Sequence, residues 1–128
     1  MIEILNKVKE FSDATTHKSS SEITIPRFDT CELRFKLMAE ENQEYLHACA
    51  DRNMIEVADA LGDMLYVLAG TILAHGMQDK VIEVFDEIHR SNMSKLDENG
   101  KVTYREDGKV LKGDNYFKPN ISSIINGR

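Results

Sequence analysis

Between Leu33 and Ala74, two groups of carboxylates stand where an apolar helix face should continue, and this conflict narrows what the chain can fold into. In Glu40-Glu41-Asn42-Gln43-Glu44 the acids follow Leu33 and Leu37. At about 100° per residue, Leu33, Leu37, Glu40, Glu41, Glu44 and Ala48 share an arc of roughly 100°. In Glu56-Val57-Ala58-Asp59-Ala60-Leu61-Gly62-Asp63 the acids fall at i, i+3 and i+7, on one stripe with Tyr66, Val67, Gly70 and Ala74. Both stripes are predicted to face inward. An unpaired buried carboxylate costs several kcal/mol, and few Lys or Arg are interleaved to neutralise these. A divalent cation is the expected partner, and an all-oxygen set suits Mg²⁺, Mn²⁺ or Ca²⁺ better than zinc. A solvated helix face would explain Glu40 to Glu44 taken alone. It does not explain Asp59 and Asp63, poor helix formers set among Ala, Leu and Val.

The flanking segments complete a helical pattern. Ile2, Leu5, Val8 and Phe11 recur at three-residue spacing and predict a short amphipathic helix over residues 2–14. The polar, β-branched stretch 15–27, broken by Pro26, reads as a mobile loop. Asp29 or Thr30 is the expected cap of a helix running to Ala50. Asp51-Arg52-Asn53 separates it from a helix over about 55–75, with Gly76 as its C-cap. A further amphipathic run extends from Asp79 through Val81, Val84, Phe85 and Ile88 to about Lys95. Asn99-Gly100 predicts a turn, and Glu106-Asp107-Gly108 between Lys101–Arg105 and Lys109–Leu111 predicts a small hairpin. The aromatic residues of the tail are expected to pack over the helices. The fold class expected is all-α, a four-helix bundle-like core with a small C-terminal β-hairpin, in a single domain over 1–128.

Composition excludes several functions. The formal charge of −6 over 128 residues argues against non-specific nucleic-acid binding. No uninterrupted apolar run reaches the 18 residues of a membrane span, and the N-terminus alternates charged and apolar residues. Cys31 and Cys49 lack a CxxC spacing. Together these predict a reduced, cytoplasmic protein that uses neither nucleic acid nor membrane as partner.

Metal-assisted attack on a triphosphate needs several carboxylates, some to hold the cation and one free to take a proton from water. Glu40-Glu41-x-x-Glu44 followed by a second acidic helix offers such a set. With Asp59-Ala-Leu-Gly-Asp63-Met-Leu-Tyr66-Val, His89-Arg-Ser-Asn92-Met-Ser-Lys95, and Arg105-Glu-Asp-Gly-Lys109-Val-Leu-Lys112-Gly with Asn115-Tyr116, the chain resembles the all-α nucleoside triphosphate pyrophosphohydrolases over residues 30–120. This MazG-like group includes dimeric dUTPases and phosphoribosyl-ATP pyrophosphohydrolases. The resemblance implies Mg²⁺-dependent hydrolysis of a nucleotide between its α and β phosphates, with Mn²⁺ as a substitute. Carried over, Glu41, Glu44 and Asp63 are metal ligands and Glu40 the general base. Asn92, Lys95, Lys109, Lys112 and Tyr116 are the expected substrate and phosphate contacts. One departure stands out: the family places a Glu three residues before the position of Asp63, and here that residue is Ala60. Asp59, at i−4 from Asp63, and Glu56, one turn earlier, are the alternatives for the missing ligand.

Two rival classes are open on the residues alone. Glu44-x-x-His47 matches one copy of the di-iron carboxylate signature, with Asp86-x-x-His89 the nearest second copy. Ala60 also allows a non-catalytic nucleotide-binding module. A homodimer or homotetramer is expected, because four modest helices leave Val67, Leu68, Ile72 and Leu73 with little chain to cover them.

Overall fold

The computed structural model describes residues 1–127 and is helical: α1 (Ile2–Asp13), α2 (Phe28–Ala50), α3 (Met54–Ala74), α4 (Val81–Met93) and the short α5 (Ile121–Asn126). Two compact units divide the chain, Met1–Asp79 and the residues from Lys80 onward. The first contains α1, α2 and α3, with α3 packed against both others; the second contains α4 packed with α5.

In the first unit, α1 buries Leu5, Val8 and Ser12, whereas Ile2 and Phe11 at the ends of its apolar stripe are exposed. A strict three-residue spacing lags behind the helical period, so only the middle of the stripe stays on the buried face. The core of α3 is Ala60, Ala69, Gly70 and Leu73. By length and composition α3 could cross a membrane, but here it is the central helix of a packed unit. Its C-terminus is a Schellman motif: Gly76 N–H donates to the Leu73 carbonyl and Met77 N–H to that of Ile72, each at 3.0 Å. Gly76 has φ +68°, and a Cβ there would lie 2.0 Å from the Glu22 carbonyl oxygen, so glycine is required twice over.

That contact reflects how segment 15–27 is held. It has no regular secondary structure, yet Ser20 N–H donates to Leu73 O (2.9 Å), Thr24 N–H to His75 O (3.0 Å) and Gln78 Nε2 to Ser20 O (3.0 Å). The predicted mobile loop is therefore a strap fastened to the end of α3. α2 starts at Phe28 with Arg27 as N-cap and no side-chain cap; Asp29 instead accepts from the neighbouring Thr30 N–H.

The second unit corrects the predicted hairpin. Among the described residues it contains no strand, only an isolated antiparallel bridge, Tyr104 to Val110, around the turn closed by Gly108 (φ +90°). Tyr104 and Leu111 are exposed, and a two-stranded ribbon with no covered face does not propagate. The tail is pinned to α4: Ser91 Oγ donates to Phe117 O, Phe117 N–H donates to Ser94 Oγ, and Arg90 lies over the Phe117 ring. The helix α5, capped by Asn120, has no counterpart in the sequence reading.

Candidate metal centre

The geometry of the acids follows from a helical hairpin. α2 and α3 are joined by Asp51-Arg52-Asn53, with Arg52 in the left-handed region (φ 53°) and the Asn53 side chain capping α3 by accepting from Glu56 N–H. A turn this short makes the helices antiparallel neighbours, so residues equally distant from Arg52 face each other. Glu41 and Asp63 are both eleven residues away, Glu44 and Ala60 eight, Arg34 and Gly70 eighteen.

Glu41, Glu44 and Asp63 accordingly converge: one carboxylate oxygen from each lies within 4.8 Å of the others. Glu41 is half-buried and its Oε2 is sealed from solvent with no hydrogen-bond donor. Burial first, then the charge of Glu44, a hydrogen bond with it, and the charges of Asp63 and Asp59 push the Glu41 carboxyl above its ordinary range. A hydrogen bond between two carboxyls exists only when one is protonated, so that contact and the orphaned oxygen describe the same site at different protonation. A buried acceptor without a donor, amid three all-oxygen ligands, is a site a hard divalent cation fits.

Beside the cluster is an open cleft of about 360 Å³ lined by Glu44, His47, Asp51, Glu56, Asp59 and Ala60. Ala60 is buried and places only a methyl group opposite Glu44, while Glu56 and Asp59 are exposed along the cleft. The predicted inward stripe of α3 is thus inward from Gly70 to Ala74, but at Glu56 and Asp59 it opens to solvent. Glu40 is exposed and outside the convergent set. No histidine joins the cluster among the described residues, His47 remaining on the cleft wall. Tyr66, predicted as core, is 42% exposed and meets Phe11 edge-on at 6.0 Å between ring centroids.

The expected phosphate contacts lie in the second unit. Asn92 is exposed in the last turn of α4, Lys95 is half-buried just beyond it, and Lys109 is exposed beside the Arg105–Asp107 ion pair. Lys112 and Tyr116 are brought together, the ammonium 4.8 Å from the ring centroid.

Arg34 went unnoticed in the sequence. Its Nε donates to Thr71 Oγ1 (3.1 Å) and its Nη2 to Val67 O (2.9 Å), with no carboxylate among its partners. The available signal was its spacing: seven residues before Glu41, it shares that residue's stripe.

Comparison with curated proteins returns no match. The family model described as phosphoribosyl-ATP pyrophosphohydrolase matches residues 6–92, which include α2, α3 and every acid of the cluster and the cleft. The chain therefore belongs to the phosphoribosyl-ATP pyrophosphohydrolase family, within the MazG-like all-α nucleotide pyrophosphohydrolases.

Proposed function

We propose that the protein hydrolyses a nucleoside triphosphate or related nucleotide between its α and β phosphates, releasing a monophosphate and pyrophosphate. The observation that supports this best is the convergence of Glu41, Glu44 and Asp63 around a carboxylate oxygen with no donor. These residues would hold Mg²⁺, or Mn²⁺ in its place, and Asp59 or Glu56 on the cleft would supply the ligand that Ala60 lacks. A divalent ion bound there supplies neutralisation of phosphate charge and a more acidic water. Glu40, exposed next to Glu41 and outside the convergent set, is the free carboxylate proposed to accept the proton of the attacking water. Asn92, Lys95, Lys109, Lys112 and Tyr116 are proposed to meet the remaining phosphate oxygens and the nucleotide.

A homodimer or dimer of dimers accompanies this reading. The predicted apolar surface is redrawn by the structure: Leu73 is fully buried and Val67 and Ile72 half-buried. The open face is Leu61, Leu65 and Leu68 on α3 with Phe35 (71% exposed) and Met38 on α2. Met38, Met64, Leu65 and Leu68 line an apolar cleft of about 250 Å³ on it. Burying side chains of this size contributes about 1.5–3 kcal/mol each, and a symmetric second copy is the proposed cover. The unpaired Cys31 and Cys49 suit the cytoplasm proposed as its compartment.

A panel of ribo-, deoxyribo- and phosphoribosyl-substituted nucleotides, assayed with Mg²⁺ and again in EDTA, tests the activity. Monophosphate with pyrophosphate is expected from at least one. Orthophosphate as the only inorganic product would overturn the proposed bond, and turnover in EDTA the metal.

A further inference from the structure

The first unit holds a second polar cavity, of about 300 Å³, between the strap 15–27 and the α2–α3 pair. It takes in Arg34, Lys18 and His17, the hydroxyl residues Ser19 and Thr30, and Gly70, and no carboxylate lines it. In a chain of net charge −6, a cavity with three basic residues and no acid needs an explanation.

Arg34 gives one. Two of its nitrogens are occupied by Thr71 and Val67, and Nη1 makes no hydrogen bond or ion pair among the described residues. Partial burial lowers the guanidinium pKa, yet an arginine remains charged, so a partly desolvated cation stands beside this cavity without a counter-charge. Ser19 lines the cavity from the strap, although its Oγ is sealed from solvent with no partner. The guanidinium also depends on Gly70: a Cβ there would lie 2.6 Å from Nη2. A guanidinium with a free Nη1 and no counter-charge, in a cavity lined by basic and hydroxyl residues, is complementary to the charge and acceptor oxygens of a tetrahedral oxyanion.

We propose that this cavity is an oxyanion site for a phosphate group held by Arg34, with His17 and Lys18, whose ammonium donates to Asp13 O at 2.6 Å, among its lining. Seven residues separate Arg34 from Glu41 and Gly70 from Asp63. At about 1.5 Å rise per residue the two sites are roughly 10 Å apart along the same helices. The phosphate can therefore come from the far end of a nucleotide whose triphosphate is at the acids, or from free phosphate in solution.

Calorimetric titration of inorganic phosphate into the full-length protein in EDTA tests the site without requiring turnover, so it stands or falls separately from the pyrophosphohydrolase reading. Wild type is expected to bind, Arg34→Gln to lose at least tenfold in affinity, and Gly70→Ala, which keeps every charge but displaces the guanidinium, to lose a similar amount. Amide shifts in wild type are expected at Ser19, Thr30 and Gly70. Because Arg34→Gln also removes bonds to α3, Gly70→Ala and a melting curve for each variant guard against misreading unfolding as lost binding. The two sources separate kinetically. With a substrate-borne phosphate, Arg34→Gln lowers kcat/KM for a nucleoside triphosphate bearing a 3′-phosphate far more than for the unsubstituted nucleotide. With a free anion the two fall alike or stay unchanged. No phosphate binding by wild type, or undiminished binding by folded Arg34→Gln and Gly70→Ala, overturns the site.

Discussion

Two places on the same pair of helices, seven residues apart on each, carry opposite charge without compensation. At Glu41 and Asp63, three carboxylates face one another and one carboxyl is pushed above its ordinary range. At Arg34 and Gly70, a guanidinium stands against a glycine and two acceptors of α3 with no acid beside it. Side by side the two show why the helices do not neutralise themselves: the face rotates back to the same orientation after seven residues, so Arg34 and Glu41 point the same way but stand roughly 10 Å apart, too far to pair. The difference teaches that neither charge is neutralised by the opposite one on the same pair of helices, which is the ground for the cation and the anion proposed above.

The sharpest way to break the acidic half is to remove a carboxylate. Glu41→Gln and Asp63→Asn are each expected to lower turnover by about 10³-fold or more and to lose most of the Mg²⁺-induced rise in Tm, measured side by side by pyrophosphate release and thermal melting. Wild-type turnover and metal response in both would make the cluster an ordinary helix surface. Glu40→Gln is expected to lose about 10²- to 10⁴-fold in rate while keeping the metal response, the split that separates a base from a ligand. Asp59→Asn and Glu56→Gln then decide which of the two supplies the ligand missing at Ala60, since only that one should follow Asp63→Asn.

A backbone change sharpens the comparison from the strap side. Gly76→Ala forces a Cβ into the left-handed region and against the Glu22 carbonyl, and should destabilise the protein by about 1–3 kcal/mol in chemical denaturation. Phosphate affinity is expected to fall with it, because the strap walls the Arg34 cavity. Unchanged stability would mean the strap is not held by the contacts described.

The smallest effect is on pH. In metal-free protein the folded state holds the Glu41 proton more tightly than the unfolded state does. Its contribution is thus fully present below the ordinary glutamate pKa, about 4.3, and is lost as pH rises through the raised folded value. Wild type should lose stability over that interval relative to Glu41→Gln, and saturating Mg²⁺ should abolish the difference. A parallel pair of pH profiles in EDTA would exclude the electrostatic conflict on which the metal site rests.

The acids, helices α1 to α4 and the turn between α2 and α3 were legible because each is a local or periodic property. Carboxylates interrupting an apolar period show in the order of residues, and a three-residue turn between two amphipathic runs leaves one antiparallel pairing, with Glu41 opposite Asp63. The same register sets Ala60 opposite Glu44 and Arg34 opposite Gly70, and both pairings were equally available once that turn was placed. The tertiary structure decided the rest. The strap 15–27 looked loose because what fastens it is chiefly main-chain N–H and C=O, which every residue but proline carries, reaching groups some fifty residues away. The hairpin failed because turn chemistry near Gly108 is local, whereas strand extension needs a surface to cover. Leu73 is buried and Leu68 is not, although both sit in one apolar run, because which side of α3 meets α1 and α2 is set by packing and not by hydrophobicity.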